Sequence, residues 1–317
     1  MPALLRIQLL GYLSIHGESR SLDHLVSTKA NEVLCYLLLH HHMHHPREQL
    51  AEVLWDGLPT AQARKHLRQA LWQLHSTFDA ISGGATARFL TIDADWIAIN
   101  PDGVIWLDID AFARAYDLVR GISGDVLDPV QVDILRDAVA FYHGDLLEGW
   151  YHHWCMVDRE RYHAMHLSML DKLMVACEAQ GAYEEAVDYG VRILRFDRAR
   201  ESTHLRLMRL YYLGGDRTAA LRQFDRCVQE LREELDVRPA KQTDVLYRQI
   251  RADRMDEVSG QPVLSSEAPV ASLPDVLTQL TQVQDTLDGI RSSVQQQLQT
   301  FQLVHEGRQS VHDGSEV

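Results

Sequence analysis

The segment from Thr60 to Phe78 carries cationic and amide side chains on one side of a predicted helix. Its apolar residues recur at spacings of three and four, as on one buried face of an α-helix. Lysine and arginine attract phosphates through counterion release, and arginine and glutamine pair with the edges of guanine and adenine. No acidic residue occurs between Asp56 and Asp79. The pattern predicts a face that binds nucleic acid, with these candidate residues: Gln62, Arg64, Lys65, Arg68, Gln69 and Trp72.

A solvated helix face is the simpler explanation of the same pattern, because any surface helix has a polar side. Trp72 is unusual on such a side. It either packs under a neighbouring hairpin or reaches a sugar-phosphate, and the sequence leaves both alternatives open.

A run of five histidines at positions 40–45, interrupted by Met43, invites comparison with a metal site. Imidazole suits zinc, copper and nickel. The run falls between two predicted helices, without a cysteine or carboxylate pattern nearby, and histidine is also favourable at a helix C-terminus. We therefore interpret it as a polar helix end and loop. We predict no metal and no cofactor, with metal sensing as the less favoured alternative.

Composition and motifs exclude several classes of protein. The chain has 317 residues and is 46% hydrophobic, with a net charge of −14. It contains no GxSxG, HExxH, phosphate-binding glycine loop or dinucleotide fingerprint, so we predict that it is not an enzyme. It also lacks an apolar stretch of 18 residues, a basic leader and any CxxC pair. We expect a cytoplasmic protein that does not bind membranes.

The elements around the candidate face are typical of a winged helix-turn-helix over residues 1–107. Strand-like alternation at the N-terminus precedes three predicted helices, the second of which we expect to begin at Pro46. Phe89 to Asn100 alternates again and turns at positions 93–95, which predicts a hairpin. In this plan the third helix enters a major groove, while the hairpin lies near the minor groove or the DNA backbone.

Residues 108–253 are predicted to be helical and contain an internal repeat. Gly181 and Gly215, Ala186 and Ala220, and other pairs are separated by 34 residues. This is the tetratricopeptide period, which predicts helix pairs stacked into a curved solenoid with a binding face.

The C-terminal part divides into three predicted segments: a linker at 254–272, a coiled coil at 273–306 and a disordered tail at 307–317. Apolar residues alternate four and three apart in the coiled-coil segment, with Gln297 as its one polar core position. We expect homo-oligomerisation through 273–306. The alternative is an amphipathic helix that folds back on the helical domain.

The first two blocks together resemble the SARP-type bacterial transcriptional activators. The resemblance covers roughly residues 3–252, and its motifs are LAEVLW at 50–55, RKHLRQAL at 64–71, GDLLEGW at 144–150, Trp154, DRER at 158–161 and QELREELDVRP at 229–239. It implies a winged helix followed by a tetratricopeptide-like bacterial transcriptional activator domain. It also implies promoter DNA, arranged as direct repeats, and RNA polymerase as partners. Gln73, His75, Ser76 and Thr77 stand where family members usually carry more arginines.

The fold prediction is thus a mainly α protein: an N-terminal winged helix-turn-helix with small β-sheets, a tetratricopeptide-like solenoid and a C-terminal coiled-coil helix. The functional prediction is a sequence-specific regulator, of the activator type, that binds double-stranded DNA and contacts a partner protein through the helical repeats. The alternative is a helical-repeat interaction scaffold that does not bind DNA, which the net charge of −14 and the few arginines favour.

Overall fold

Two short strands near the N-terminus pair in the computed structural model, which describes residues 5–17, 27–81, 89–100 and 105–254. Strand β1 (Leu5–Gln8) pairs antiparallel with β2 (Ser14–His16) and parallel with β6 (Ile105–Leu107), so that the sheet order is β2-β1-β6. Ile7 lies opposite both Ile15 and Leu107 and is fully buried. The sequence predicted β1 and β2 but not β6.

Three helices follow, as predicted: α1 (Thr28–Leu39), α2 (Arg47–Leu54) and α3 (Thr60–Ile81). The Ser27 side chain caps α1 by accepting a hydrogen bond from the Ala30 N–H. The expectation for Pro46 was wrong, because Pro46 precedes α2 and belongs to a two-residue strand, β3 (His45–Pro46).

The predicted hairpin is confirmed as β4 (Leu90–Ile92) and β5 (Trp96–Ile99), with its turn at positions 93–95. Strand β5 also pairs with β3, which gives a second sheet of order β3-β5-β4. The hairpin is thereby tied to the chain between α1 and α2.

The rest of the described chain forms a series of α-helices joined by loops, which we call the helical array. A short 3₁₀ helix at Gly124–Val126 lies between its first two α-helices. Its α-helices are α4 (Asp108–Val119), α5 (Pro129–Phe141), α6 (His153–Ala179), α7 (Tyr183–Phe196), α8 (Glu201–Leu213), α9 (Arg217–Leu235) and α10 (Lys241–Ala252). The predicted fold class, mainly α with small sheets near the N-terminus, is confirmed for the described residues.

The 34-residue repeat is visible in the turns between α6 and α7 and between α8 and α9. Gly181 and Gly215 adopt φ of 74° and 87°, which side chains disfavour. The N–H of Gly181 donates to the Glu178 carbonyl at 3.1 Å, and that of Gly215 donates to the Tyr212 carbonyl at 2.9 Å. The positions that the repeat makes equivalent therefore have equivalent backbone geometry.

Residues 142–150 form a segment that we call the platform, and backbone hydrogen bonds attach the N-terminal strands to it. The Leu147 N–H donates to the Leu9 carbonyl at 2.8 Å, and the Gly11 N–H donates to the Asp145 carbonyl at 3.0 Å. The buried carboxylate of Asp108 accepts hydrogen bonds from the N–H groups of Leu9 and Leu10. These bonds join the winged helix to the first helix of the array.

The predicted coiled coil at 273–306, the tail at 307–317 and all of the linker beyond Arg254 lie outside the described residues. Within the described ranges, no helix is both long enough and apolar enough to cross a membrane.

Candidate nucleic-acid interface

The polar side of α3 is exposed along its length. We call this surface the α3 face, and its members are the six residues predicted from the sequence. All six are exposed: Gln62, Arg64, Lys65, Arg68, Gln69 and Trp72. Gln62, Lys65, Gln69 and Trp72 follow spacings of three, four and three residues, so they form one stripe along the helix. The structure therefore brings the predicted residues together on one surface.

Trp72 resolves the alternative that the sequence left open. Its side chain is 70% exposed, so it does not pack under the hairpin. An indole in this position offers a flat apolar surface and one N–H donor to a molecule outside the chain.

The opposite side of α3 fixes the helix in the winged helix core. Leu67 and Leu74 are almost fully buried, and α3 packs against both α1 and α2. At one flank, the Ser27 hydroxyl donates to the Gln73 side-chain oxygen at 2.7 Å. The orientation of the α3 face is therefore set by apolar burial and by a side-chain tether.

The cations of the α3 face differ in their partners. Arg64 forms an ion pair with Glu48 of α2. Because both side chains are mostly exposed, such a pair contributes less than about 1 kcal/mol, and a phosphate can compete for Arg64. Lys65 and Arg68 have no ion pair within the described ranges.

The hairpin supplies little positive charge beside this face. Its turn exposes Asp93 and Asp95. Arg47 holds the turn in place, since its guanidinium donates to the Asp93 carbonyl at 3.0 Å and its N–H donates to the Asp95 carbonyl at 3.0 Å. The exposed carboxylates of the turn repel a phosphate, whereas the cations of the α3 face attract one.

Ser76 and His66 are also exposed on α3, although they were not among the predicted residues. Ser76 lies four residues after Trp72, in line with the stripe, and His66 stacks on Trp55 with ring centroids 6.2 Å apart. The helical spacing alone would have added Ser76. The stacking of His66 depends on the packing of α3 beside the end of α2, which the spacing does not reveal.

A second cluster of charged groups lies where α1 meets the helical array, and we call it the α1 junction: Glu32, His40 and His41 with their partners across the boundary. His40 faces Asp158 at 3.7 Å and His41 faces Asp110 at 3.2 Å. Glu32 is buried and accepts a hydrogen bond from the Trp154 indole at 3.4 Å.

Local environment shifts the pKa values at this junction in opposite directions. Burial lowers the pKa of His40, and Asp158 only partly opposes this effect. Donation of a hydrogen bond to the Asp110 carboxylate raises the pKa of His41. His41 and His42 also lie close enough to Asp110 for the three to ligate one metal ion.

Known proteins are similar to this chain both in a family model and in fold. Residues 107–251 match the family model of the bacterial transcriptional activator domain. The structure is similar to that of Mycobacterium tuberculosis EmbR in complex with a low-affinity phosphopeptide, with a TM-score of 0.59 and 17% sequence identity. The likeness covers 80% of this chain and 66% of that chain. At this identity it shows the fold alone.

No curated protein compared with the chain matches it. The family match and the order of the elements agree with the resemblance found in the sequence motifs. Residues 107–251 thus match the bacterial transcriptional activator domain, and in this chain they follow the winged helix.

Proposed function

We propose that this chain is a transcriptional activator of the SARP type that recognises promoter DNA directly, by placing the α3 face in the major groove. The observation that carries the proposal is the exposure of Lys65 and Arg68 without an internal ion-pair partner in the described ranges, on a chain whose net charge is −14. Because the rest of such a chain repels a polyanion, a local cationic surface attracts the polyanion only where the two meet.

The dimensions of α3 suit this role. An α-helix with its side chains is about 10–12 Å wide, and the major groove is about 12 Å wide. From Gln62 to Ser76 the exposed stripe extends about 21 Å along the helix. In this arrangement Lys65 contacts a phosphate, Arg68 contacts a phosphate or a guanine edge, and the amides of Gln62 and Gln69 pair with adenine.

Under this proposal residues 1–107 act as the DNA-binding domain and residues 108–253 carry the partner surface. Exposed apolar side chains support a partner surface on the helical array, since Val126 and Val130 are each 67% exposed. RNA polymerase is the partner that the family resemblance implies. Self-association through 273–306 would place two α3 faces on repeated half-sites.

Selection of genomic fragments by the full-length protein, followed by footprinting of the bound DNA, tests the proposal. We expect a protected site about the length of two half-sites. The Lys65→Ala/Arg68→Ala variant should bind that site at least tenfold more weakly. The matched control is Arg222→Ala/Arg226→Ala, which removes the same charge from exposed positions of α9.

The scaffold without DNA binding is the competing function. It predicts no retained fragment even at low salt, with a folded protein and intact partner binding. Equal losses in the two double variants would also contradict the proposal, because they would show that only net charge matters.

A further inference from the structure

The loop after α1 and the first turn of α4 bring together two imidazoles and a carboxylate. One ligand atom from each of His41, His42 and Asp110 lies within 4.8 Å of the other two. The His41 and His42 rings have centroids 3.7 Å apart, and His41 Nε2 lies 3.2 Å from an Asp110 carboxylate oxygen. The histidine run alone predicted no metal, because Asp110 lies far from it along the chain.

One ring nitrogen of His41 contacts a backbone carbonyl and the other faces Asp110, and the first contact determines the proton on the ring. Its Nδ1 lies 2.8 Å from the Leu38 carbonyl, which can only accept, so Nδ1 carries a proton. In the neutral ring, Nε2 then directs a lone pair at the carboxylate. Two acceptors at 3.2 Å require a cation between them, either a proton on Nε2 or a metal ion.

The spacing suits a metal ion of the zinc class. Zinc binds imidazole nitrogen and carboxylate oxygen at about 2.0–2.2 Å, which places neighbouring ligands of a tetrahedron roughly 3.3–3.6 Å apart. A metal-bound histidine usually donates its other N–H to a carbonyl or carboxylate, as Nδ1 of His41 does. His42 is exposed, so the third ligand can adjust and solvent can supply a fourth.

We propose that His41, His42 and Asp110 bind one divalent zinc-class ion that links the winged helix to the helical array. His41 and His42 follow directly after α1, which packs against α3, and Asp110 lies in α4. The ion would therefore stabilise the seating of the winged helix. His44 belongs to the same histidine run but packs against Trp96, with ring centroids 4.5 Å apart, and takes no part in the site.

Metal uptake by the free full-length protein tests this site independently of DNA binding. Chelator-treated protein is titrated with Zn²⁺ by calorimetry and with Co²⁺ by visible absorption. We expect one equivalent of Zn²⁺, a tetrahedral Co²⁺ spectrum and a rise in melting temperature with Zn²⁺. The variant Asp110→Asn should lower the affinity at least tenfold, whereas His44→Ala should leave it unchanged.

A second variant keeps the test valid if Asp110→Asn loosens the junction. His42→Gln removes an exposed ligand while preserving the contact between His41 and Asp110, so it should lose affinity but retain the metal-free melting temperature. Uptake that is absent, or that falls equally in His44→Ala and His42→Gln, would overturn the proposal. Neither result would bear on fragment selection through the α3 face.

Discussion

The α3 face and the α1 junction belong to the same winged helix but differ in whether their charged side chains have ion-pair partners. On the α3 face, Lys65 and Arg68 have no ion-pair partner in the described part of the chain. At the α1 junction, His41 faces Asp110 at 3.2 Å, and Glu32 lies 3.5 Å from His152 and 2.7 Å from Lys29.

The difference shows which charges the fold needs. Glu32 is only 3% exposed, and a buried carboxylate is costly unless cations and donors surround it. Lys65 and Arg68 stay hydrated, so their exposure costs little. The α1 junction is therefore part of the assembly of the chain, whereas the α3 face is free to attract charge from another molecule. Four changes separate these roles, beginning with the largest expected effect.

Asp108→Ala should break the seating of the winged helix without altering the α3 face. Both carboxylate oxygens of Asp108 accept backbone hydrogen bonds at 2.7–2.9 Å, from Leu9, Leu10 and Ile109. Three unpaired donors in a buried site cost about 3 kcal/mol or more. Urea unfolding measures the loss. A change below about 1 kcal/mol would show that water or a backbone shift replaces the carboxylate.

Acid should weaken the packing around Tyr142 in the platform beneath the N-terminal strands. His166 stacks on Tyr142 with ring centroids 3.9 Å apart, and burial lowers its pKa to about 3. The unfolded chain takes up this proton near pH 6.5, so the free energy of unfolding falls as the pH drops below that value. The contribution is about 2 kcal/mol at pH 5.

His166→Phe keeps the aromatic stacking but cannot titrate. Urea unfolding at pH 7 and pH 5 should therefore show a smaller acid loss in this variant than in the wild type. Parallel losses in the two proteins would mean that other groups cause the acid sensitivity.

Glu48→Gln should strengthen the attraction of the α3 face for DNA. It releases Arg64 from its ion pair and removes a negative charge from the approaching phosphates. Affinity for duplex DNA should rise by about two- to fivefold at low salt, while stability changes by less than about 0.5 kcal/mol. An anisotropy titration checks the affinity, and an unchanged or weaker value would count against Arg64 as a DNA contact.

Trp72→Ala should leave the fold almost untouched, because its side chain is 70% exposed. We expect a stability change within about 0.5 kcal/mol, together with weaker DNA binding. Trp55→Ala is the matched control, since Trp55 is buried and its loss should cost about 3 kcal/mol. A large loss of stability in Trp72→Ala would assign the indole to the core instead.

The parts of the molecule that the sequence predicted are those that depend on residues close together along the chain. The buried side of α3 repeats Ala63, Leu67 and Leu74 at helical spacing, and this placed the polar candidates on the opposite side. The 34-residue period predicted the helix pairs around Gly181 and Gly215, because each turn uses the same backbone geometry.

The parts that sequence analysis missed depend on contacts between distant segments. Strand β3 has two residues, too few for alternation to appear, and β6 is defined by its pairing with β1 at the other end of the domain. Asp108 resembles any acidic residue at a helix start until Leu9 and Leu10 are brought to it. The closeness of His41 to Asp110 has the same origin.

The salt dependence of DNA binding tests most directly whether the α3 face meets a polyanion. For one footprinted duplex, the logarithm of the binding constant is plotted against the logarithm of salt concentration from about 50 to 200 mM. Each phosphate contact contributes about 0.9 to the slope. We expect Lys65→Ala/Arg68→Ala to flatten the slope by about 0.9–1.8 and Arg222→Ala/Arg226→Ala to leave it unchanged. A wild-type slope in Lys65→Ala/Arg68→Ala would show that the α3 face does not contact DNA phosphates.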